Sequence, residues 1–282
     1  MGLSVIVTAY RSAETLRACV EQLQRDPDVA QILVADCSEE NPVLPVAVRR
    51  FPTPTAVPVM RWAMLGDVKE PVVACLEGRC VPETGWGAAV VAAHAAWPES
   101  PGIGGAVDVD GASGWLDTVV WFCEYAAYAP PLADGPATEI SGAHLSYKTA
   151  ALRGEEDLLA SGAWETLLHL RWRAAGPSLR TIPAVVAFRN GMSWREFMRQ
   201  RFHYGRGYAA AREIGSRRWL MGLLAPALPF VLTARTAEAA RRAGRMPSFL
   251  LCLPGIFFFH AMWSAGELLG YWFGPSVEPH IF

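Results

Sequence analysis

The chain lacks the glycine-rich turn that nicotinamide and flavin enzymes carry after their first strand. Its first strand instead ends Thr8-Ala9-Tyr10-Arg11, so no GxGxxG loop lets backbone approach a pyrophosphate there. A P-loop lysine motif is missing as well, as is the basic, glycine-rich loop of a nucleotidyltransferase. The six cysteines (19, 37, 75, 80, 123 and 252) form no CxxC pair and no zinc spacing. Several lie in apolar runs, where a reduced cysteine acts as a small hydrophobe, and a reducing compartment is expected. No basic leader or long apolar run precedes the first strand, so the front of the chain is expected to stay in the cytoplasm. Internal repeats and low-complexity tracts are also missing.

What is present is apolar and unevenly charged. Of the 282 residues 52% are hydrophobic, the mean hydropathy is +0.19 and the net charge is −2. Residues 189–245 hold twelve arginines against Glu196, Glu213 and Glu238, a net +9 that leaves the front of the chain acidic. Such halves are expected to meet different partners.

The front reads as alternating strands and helices. Leu3–Thr8 is a β-branched run covered on both faces. Ser12 stands as N-cap to a helix with Ala13, Leu16, Val20 and Leu23 at helical spacing. Gln31–Ala35 is a second strand, closed by Asp36, and Val72–Leu76 is another that ends in Glu77. Gly87–Trp97 reads as a helix and Ile103–Val107 as a further strand. Strand–helix–strand units of this length give parallel pairs with right-handed crossovers, hence an α/β fold. Ligands of such sheets bind at the carboxyl ends of the strands. Tyr10 and Asp36 end neighbouring strands, a ring and a carboxylate of the kind a nucleotide base needs; a surface tyrosine and a helix-capping aspartate fit the same letters.

After about Arg189 the pattern changes. Ser193–Ser216 reads as a helix dense in arginine and aromatics, and Trp219–Ala234 is apolar but carries Pro226 and Pro229. Arginines flank that segment on both sides, which suits a re-entrant or interfacial piece better than a crossing. Phe249–Phe273 is apolar save for His260, Ser264 and Glu267 and is the better spanning candidate, at roughly 30 Å. A buried helical hairpin or dimer surface is the soluble alternative. Two regions are thus expected, 1–190 and 191–282.

Taken in order, SVIVTAYRSAETL, the VADCSEEN strand end, VVACLEGRCVPETGW, ISGAHLSYKTAAL and WETLLHLRWRAAG resemble the family 2 glycosyltransferases over roughly residues 3–210. The resemblance implies a single GT-A nucleotide-sugar-binding domain with a mostly parallel central sheet, followed by a C-terminal apolar helical region. It implies transfer of a hexosyl or related sugar from a nucleotide-diphosphate donor, with inversion, at the cytoplasmic face of the cell membrane. The acceptor expected is a lipid carrier or a growing glycan, as in polysaccharide and cell-envelope synthesis; nucleic acid is not an expected partner.

Thr8, Ala9, Tyr10 and Asp36 would then line the nucleoside pocket. The family's Asp-x-Asp metal motif falls on Glu77-Gly78-Arg79, which keeps one acid and puts arginine at the second. Glu77 could hold Mg²⁺ or Mn²⁺ against the diphosphate, or Arg79 could neutralise it directly. Glu165 aligns with the catalytic base, beside Trp164, and His144 with a polar residue near the donor or acceptor sugar. Arg201 and Arg206 would clasp the leaving diphosphate, or face anionic lipid. Because the acidic motif is altered, a catalytically weak membrane subunit with a binding or assembly role is the alternative.

Overall fold

The computed structural model describes residues 2–40, 42–53, 55–162, 164–176, 178–212 and 214–275. It contains two compact units. The first comprises Met1–Asp110 and Tyr128–Arg189, and the second Gly111–Ala127 and Asn190–Phe282.

The first unit is built on β1 (Leu3–Ala9), buried at all seven positions. Each fully buried Leu, Ile or Val contributes about 1.5–3 kcal/mol, so a β-branched run is held as the central strand. Helix α1 (Ala13–Arg25) lays Leu16, Cys19, Val20 and Leu23 into the core, the i, i+3, i+4, i+7 pattern of one helix face. Ser12 occupies the N-cap position without a side-chain cap, and its buried hydroxyl has no hydrogen-bond partner among the described residues.

Then come β2 (Val29–Asp36), β3 (Val48–Arg50), α2 (Val57–Ala63), β4 (Val72–Glu77), β5 (Cys80–Pro82), α3 (Trp86–Ala96) and β6 (Gly102–Val109). Helix α4 (Trp115–Glu124) belongs to the second unit. The first unit resumes with β7 (Gly135–Ala137), β8 (His144–Lys148), α5 (Thr149–Arg153), α6 (Glu156–Ala160), α7 (Glu165–Ala175) and β9 (Leu179–Phe188).

The sheet order is β3-β2-β1-β4-β8-β6-β9-β5, with β7 also on β9. Strands β3, β2, β1 and β4 are mutually parallel, as are β6 and β9, while β8 runs antiparallel between β4 and β6. The four parallel strands therefore end together on one edge, which gathers their C-terminal residues into a row. All six cysteines are unpaired.

The second unit is helical: α4, then α8 (Trp194–Ala211), α9 (Arg218–Leu224), α10 (Leu228–Arg242) and α11 (Met246–Phe273). A capping box between Ser193 and Glu196 starts α8. Helices α8 and α11 lie close: a Cβ on Gly205 would strike the Trp263 carbonyl, and one on Gly266 the Phe202 carbonyl. The unit departs from a simple division at residue 190 by taking in 111–127. The reason is packing: Val119, Val120 and Phe122 of α4 are buried, and Phe122 meets Phe249 of α11 edge-on at 5.7 Å.

Candidate functional site

Ala9 pairs with Asp36 across to β2, Thr8 with Glu77 across to β4, and Asp36 with Arg50 across to β3. Four strands thus deliver Arg50, Asp36, Thr8–Ala9 and Glu77 to one row. Asp36 is fully buried, and its carboxylate is occupied on both oxygens. Oδ1 accepts from the Ser38 N–H at 2.8 Å and from the Ser38 hydroxyl, while Oδ2 accepts from Arg50 at 2.6 Å. Beyond Ala9 the Arg11 backbone turns left-handed, at φ 47°. A non-glycine residue there costs on the order of 1–3 kcal/mol. The turn lets the Arg11 N–H donate to Ser38 Oγ at 2.9 Å and sets the Arg11 guanidinium 5.1 Å from the Tyr10 ring. Tyr10 is half-buried.

Glu77 and Arg79 form an ion pair, Oε2 to Nη2, at 2.8 Å. The Arg79 guanidinium also lies 5.4 Å from the Phe188 ring, and its carbonyl accepts from the Arg189 N–H at 2.9 Å. Arg189 in turn holds Asp110 at 2.7 Å and reaches Glu14 at 3.5 Å. Arg79 and Arg189 are thus joined through their backbones at the strand ends. A hard divalent ion wants several oxygen ligands, and among the described residues no three acids, histidines or cysteines gather. The one carboxylate at the motif is engaged by a cation from its own loop. This donor set does not fit a metal held by protein side chains, and Glu77 is here the partner of Arg79.

Glu165 is the first residue of α7, and its side chain turns into the protein. Oε2 lies 3.3 Å from Nη1 of Arg61, a guanidinium on α2 that is only 1% exposed. Nη2 of Arg61 donates to the Gly142 carbonyl at 3.0 Å. The other oxygen, Oε1, rests on the Cα of Gly142, where any Cβ would collide with it. Beneath this pair Tyr147 Oη and His169 Nε2 are 2.7 Å apart. Burial, reinforced by the Arg61 charge, pushes the His169 imidazole down to about 4.

His144 is placed in the core, 1% exposed. The Trp86 indole N–H donates to Nε2 at 2.7 Å, and Nδ1 lies 2.9 Å from the Ala106 carbonyl. Indole only donates and a carbonyl only accepts, so the ring is neutral with its proton on Nδ1. Burial pushes its pKa down to about 4, against the Ala106 bond, which raises it. Gly105 leaves the room the imidazole fills. Both nitrogens of His144 are engaged by protein, and the ring is packed in the core.

Arg201 and Arg206 are engaged within the helical unit. Arg201 is buried, pairs with Glu124 at 2.7 Å and lies 4.4 Å from the Trp263 ring. Arg206 donates to the Gly274 carbonyl at 3.0 Å. Thr8, Ala9, Asp36 and Glu77 end neighbouring strands on one edge, and Tyr10 and Arg79 follow those strands in the chain. Sequence reasoning missed Arg50, Arg61, Gly142 and Arg189. Only Gly142 carried a signal, as a glycine inside the quoted SGAHLSYKTAAL segment. A lone arginine on a short helix announces no partner 104 residues away.

No protein-family model matches the chain, and a comparison of its sequence with curated proteins finds no match. Solved structures do resemble it. A mannosyltransferase from Pyrobaculum calidifontis, solved with GDP-Man and Mn²⁺, superposes with a TM-score of 0.53 at 14% identity, over 96% of this chain and 87% of that one. TarS from S. aureus, residues 1–349 solved with UDP-GlcNAc, gives a TM-score of 0.50 at 13% identity, over 99% of this chain and 93% of that one. At such identities the likeness is one of fold: the chain has the GT-A type of fold found in these glycosyltransferases.

Proposed function

We propose that the chain is an inverting glycosyltransferase that uses a nucleotide-diphosphate sugar. The observation that carries this reading is the row of Asp36, Ala9, Thr8 and Glu77 across three parallel strand ends of a GT-A-type sheet. Tyr10 offers the base a stacking face, and Asp36 accepts from the base once the base displaces Ser38 or Arg50 from its carboxylate. The donor diphosphate displaces Glu77 from Arg79 and takes a forked pair of hydrogen bonds from the guanidinium.

In the transfer step Glu165 removes the proton of an acceptor hydroxyl as its oxygen attacks the anomeric carbon. The bond from that carbon to the diphosphate breaks, and its electron pair leaves on the diphosphate oxygen. Arg79 stabilises the charge that grows there. Attack opposite the leaving group inverts the anomeric carbon. The donor sugar is hexosyl or related. The acceptor is a lipid carrier or growing glycan at the cytoplasmic face of the membrane, which suits polysaccharide or cell-envelope synthesis.

One observation favours a second reading, a subunit that binds or assembles without turnover. Each acid of the site already has its own arginine: Asp36 has Arg50, Glu77 has Arg79 and Glu165 has Arg61. Titration calorimetry with UDP- and GDP-sugars, paired with a transfer assay on a panel of acceptors, separates the two. Binding with transfer supports the enzyme; binding with neither transfer nor hydrolysis supports the subunit.

A further inference from the structure

Helix α9, the turn Ala225–Ala227 and α10 follow one another, and their buried residues fall on one flank. These are Gly222, Ala225, Pro229, Thr236, Ala239 and Ala240. At 100° per residue the opposite flank carries Trp219, Leu220, Leu223, Leu224, Phe230 and Val231. All six are exposed, Leu223 at 68% and Phe230 at 67%. A surface helix normally turns its polar face outward, and a continuous exposed apolar stripe marks an interaction surface.

We infer that this stripe seats the helical unit on one leaflet of an anionic bilayer, with α9 and α10 lying in the membrane plane. The charges select this occupant. Arg217 and Arg218 stand at one end of the stripe, and Arg235, Arg241 and Arg242 at the other. Glu238, close to the second cluster, is paired with Arg241 at 2.8 Å. Two copies stacked through the stripe bring arginine against arginine whichever way they run. A leaflet offers phosphate at both ends and hydrocarbon between. The stripe also meets a cavity of about 720 Å³ between α4 and α10, where Phe122 and Val231 face Arg235 and Arg242. Its two acids, Glu124 and Glu238, are held by Arg201 and Arg241. That combination suits a lipid phosphate with the start of its chain.

Length and packing argue against a crossing. The helical run Gly215–Arg242 is long enough to cross, but its apolar stretch between the arginines, Trp219–Ala234, reaches about 24 Å, short of a hydrocarbon core of about 30 Å. A crossing also carries one arginine cluster through that core. Helix α11 is long enough, but α8 packs along it, and Arg201 of α8 lies against Trp263 of α11. Sinking α11 drags Arg195, Arg199 and Arg206 of α8 with it. On this inference Phe249–Phe273, long enough to cross, is instead a helix of the surface-bound unit packed along α8. This inference is independent of the transferase reading.

The test is flotation of the full chain with vesicles of phosphatidylcholine alone and of phosphatidylcholine with phosphatidylglycerol. The expected result is binding that favours the anionic vesicles by about tenfold or more and weakens with salt. Leu223→Glu with Phe230→Glu should abolish flotation while the circular dichroism of the fold is unchanged. Arg218→Cys and Arg242→Cys should both react with an impermeant maleimide outside sealed vesicles. Reaction at only one of them means a crossing and overturns the inference. So does a vesicle-indifferent chain that forms a dimer dissolved by the Leu223→Glu and Phe230→Glu changes.

Discussion

Arg61 holds Glu165 at 3.3 Å and the Gly142 carbonyl at 3.0 Å with the two ends of one buried guanidinium. One carboxylate oxygen is thereby tied down and the other is set over the Gly142 backbone. The arrangement fixes the direction of a carboxylate at the start of a helix, as a proton acceptor needs.

If Glu165 is the base, Glu165→Gln should lower transfer to a hydroxyl acceptor by on the order of 10²–10⁴-fold. Donor binding, measured by calorimetry, should stay within error. Unchanged turnover would remove Glu165 from the mechanism.

Removing Arg61 leaves a buried carboxylate without its cation, so Arg61→Met should cost about 3–5 kcal/mol of unfolding free energy. In a Glu165→Gln background the same change should cost clearly less, because the stranded charge is gone. Urea titrations of the four proteins check this. Additive losses would mean that the pair is not coupled.

Gly142→Ala puts a methyl group where Glu165 Oε1 sits. It should reduce kcat for transfer about as much as Glu165→Gln does while leaving the donor dissociation constant alone. A kcat equal to that of the parent would show that the carboxylate works from another position.

His94, His144 and His169 are each held down to about 4 by burial, from 6.5. Their folded pKa values lie below the unfolded ones, so between about pH 6.5 and 4 the unfolded chain binds more protons. Stability is therefore full above pH 6.5 and falls as the pH drops through that window, by up to about 1.4 kcal/mol per pH unit for each histidine. His144→Gln, which can keep partners at Trp86 and Ala106, should flatten the dependence by one proton. Denaturant midpoints at stepped pH measure it.

Much of the first unit was legible because its strands are decided locally. Leu3–Thr8, Gln31–Ala35 and Val72–Leu76 became β1, β2 and β4, longer by one, three and one residues. Their terminal residues share an edge because parallel strands leave no other arrangement. The pairings were not legible. Arg50, Arg61 and Arg189 meet their acids through contacts that no short window contains, and His144 proved a core residue because Trp86 and Ala106 occupy it. In the second unit, Pro226 and Pro229 sit in the first turns of new helical segments, where proline is tolerated. What had the look of a broken apolar stretch is therefore continuous helix. The company α11 keeps with α8 is likewise tertiary, and hydropathy alone reports only its length.

The most direct test of the account is titration of the full chain with UDP- and GDP-sugars in EDTA, then with Mn²⁺, for the parent and for Arg79→Ala. The account predicts that at least one donor binds in EDTA, that Mn²⁺ changes its affinity little, and that Arg79→Ala weakens it by about tenfold or more. Binding that appears only with Mn²⁺ and ignores Arg79→Ala would contradict the arginine-held diphosphate. Failure of every nucleotide sugar to bind would contradict the transferase itself.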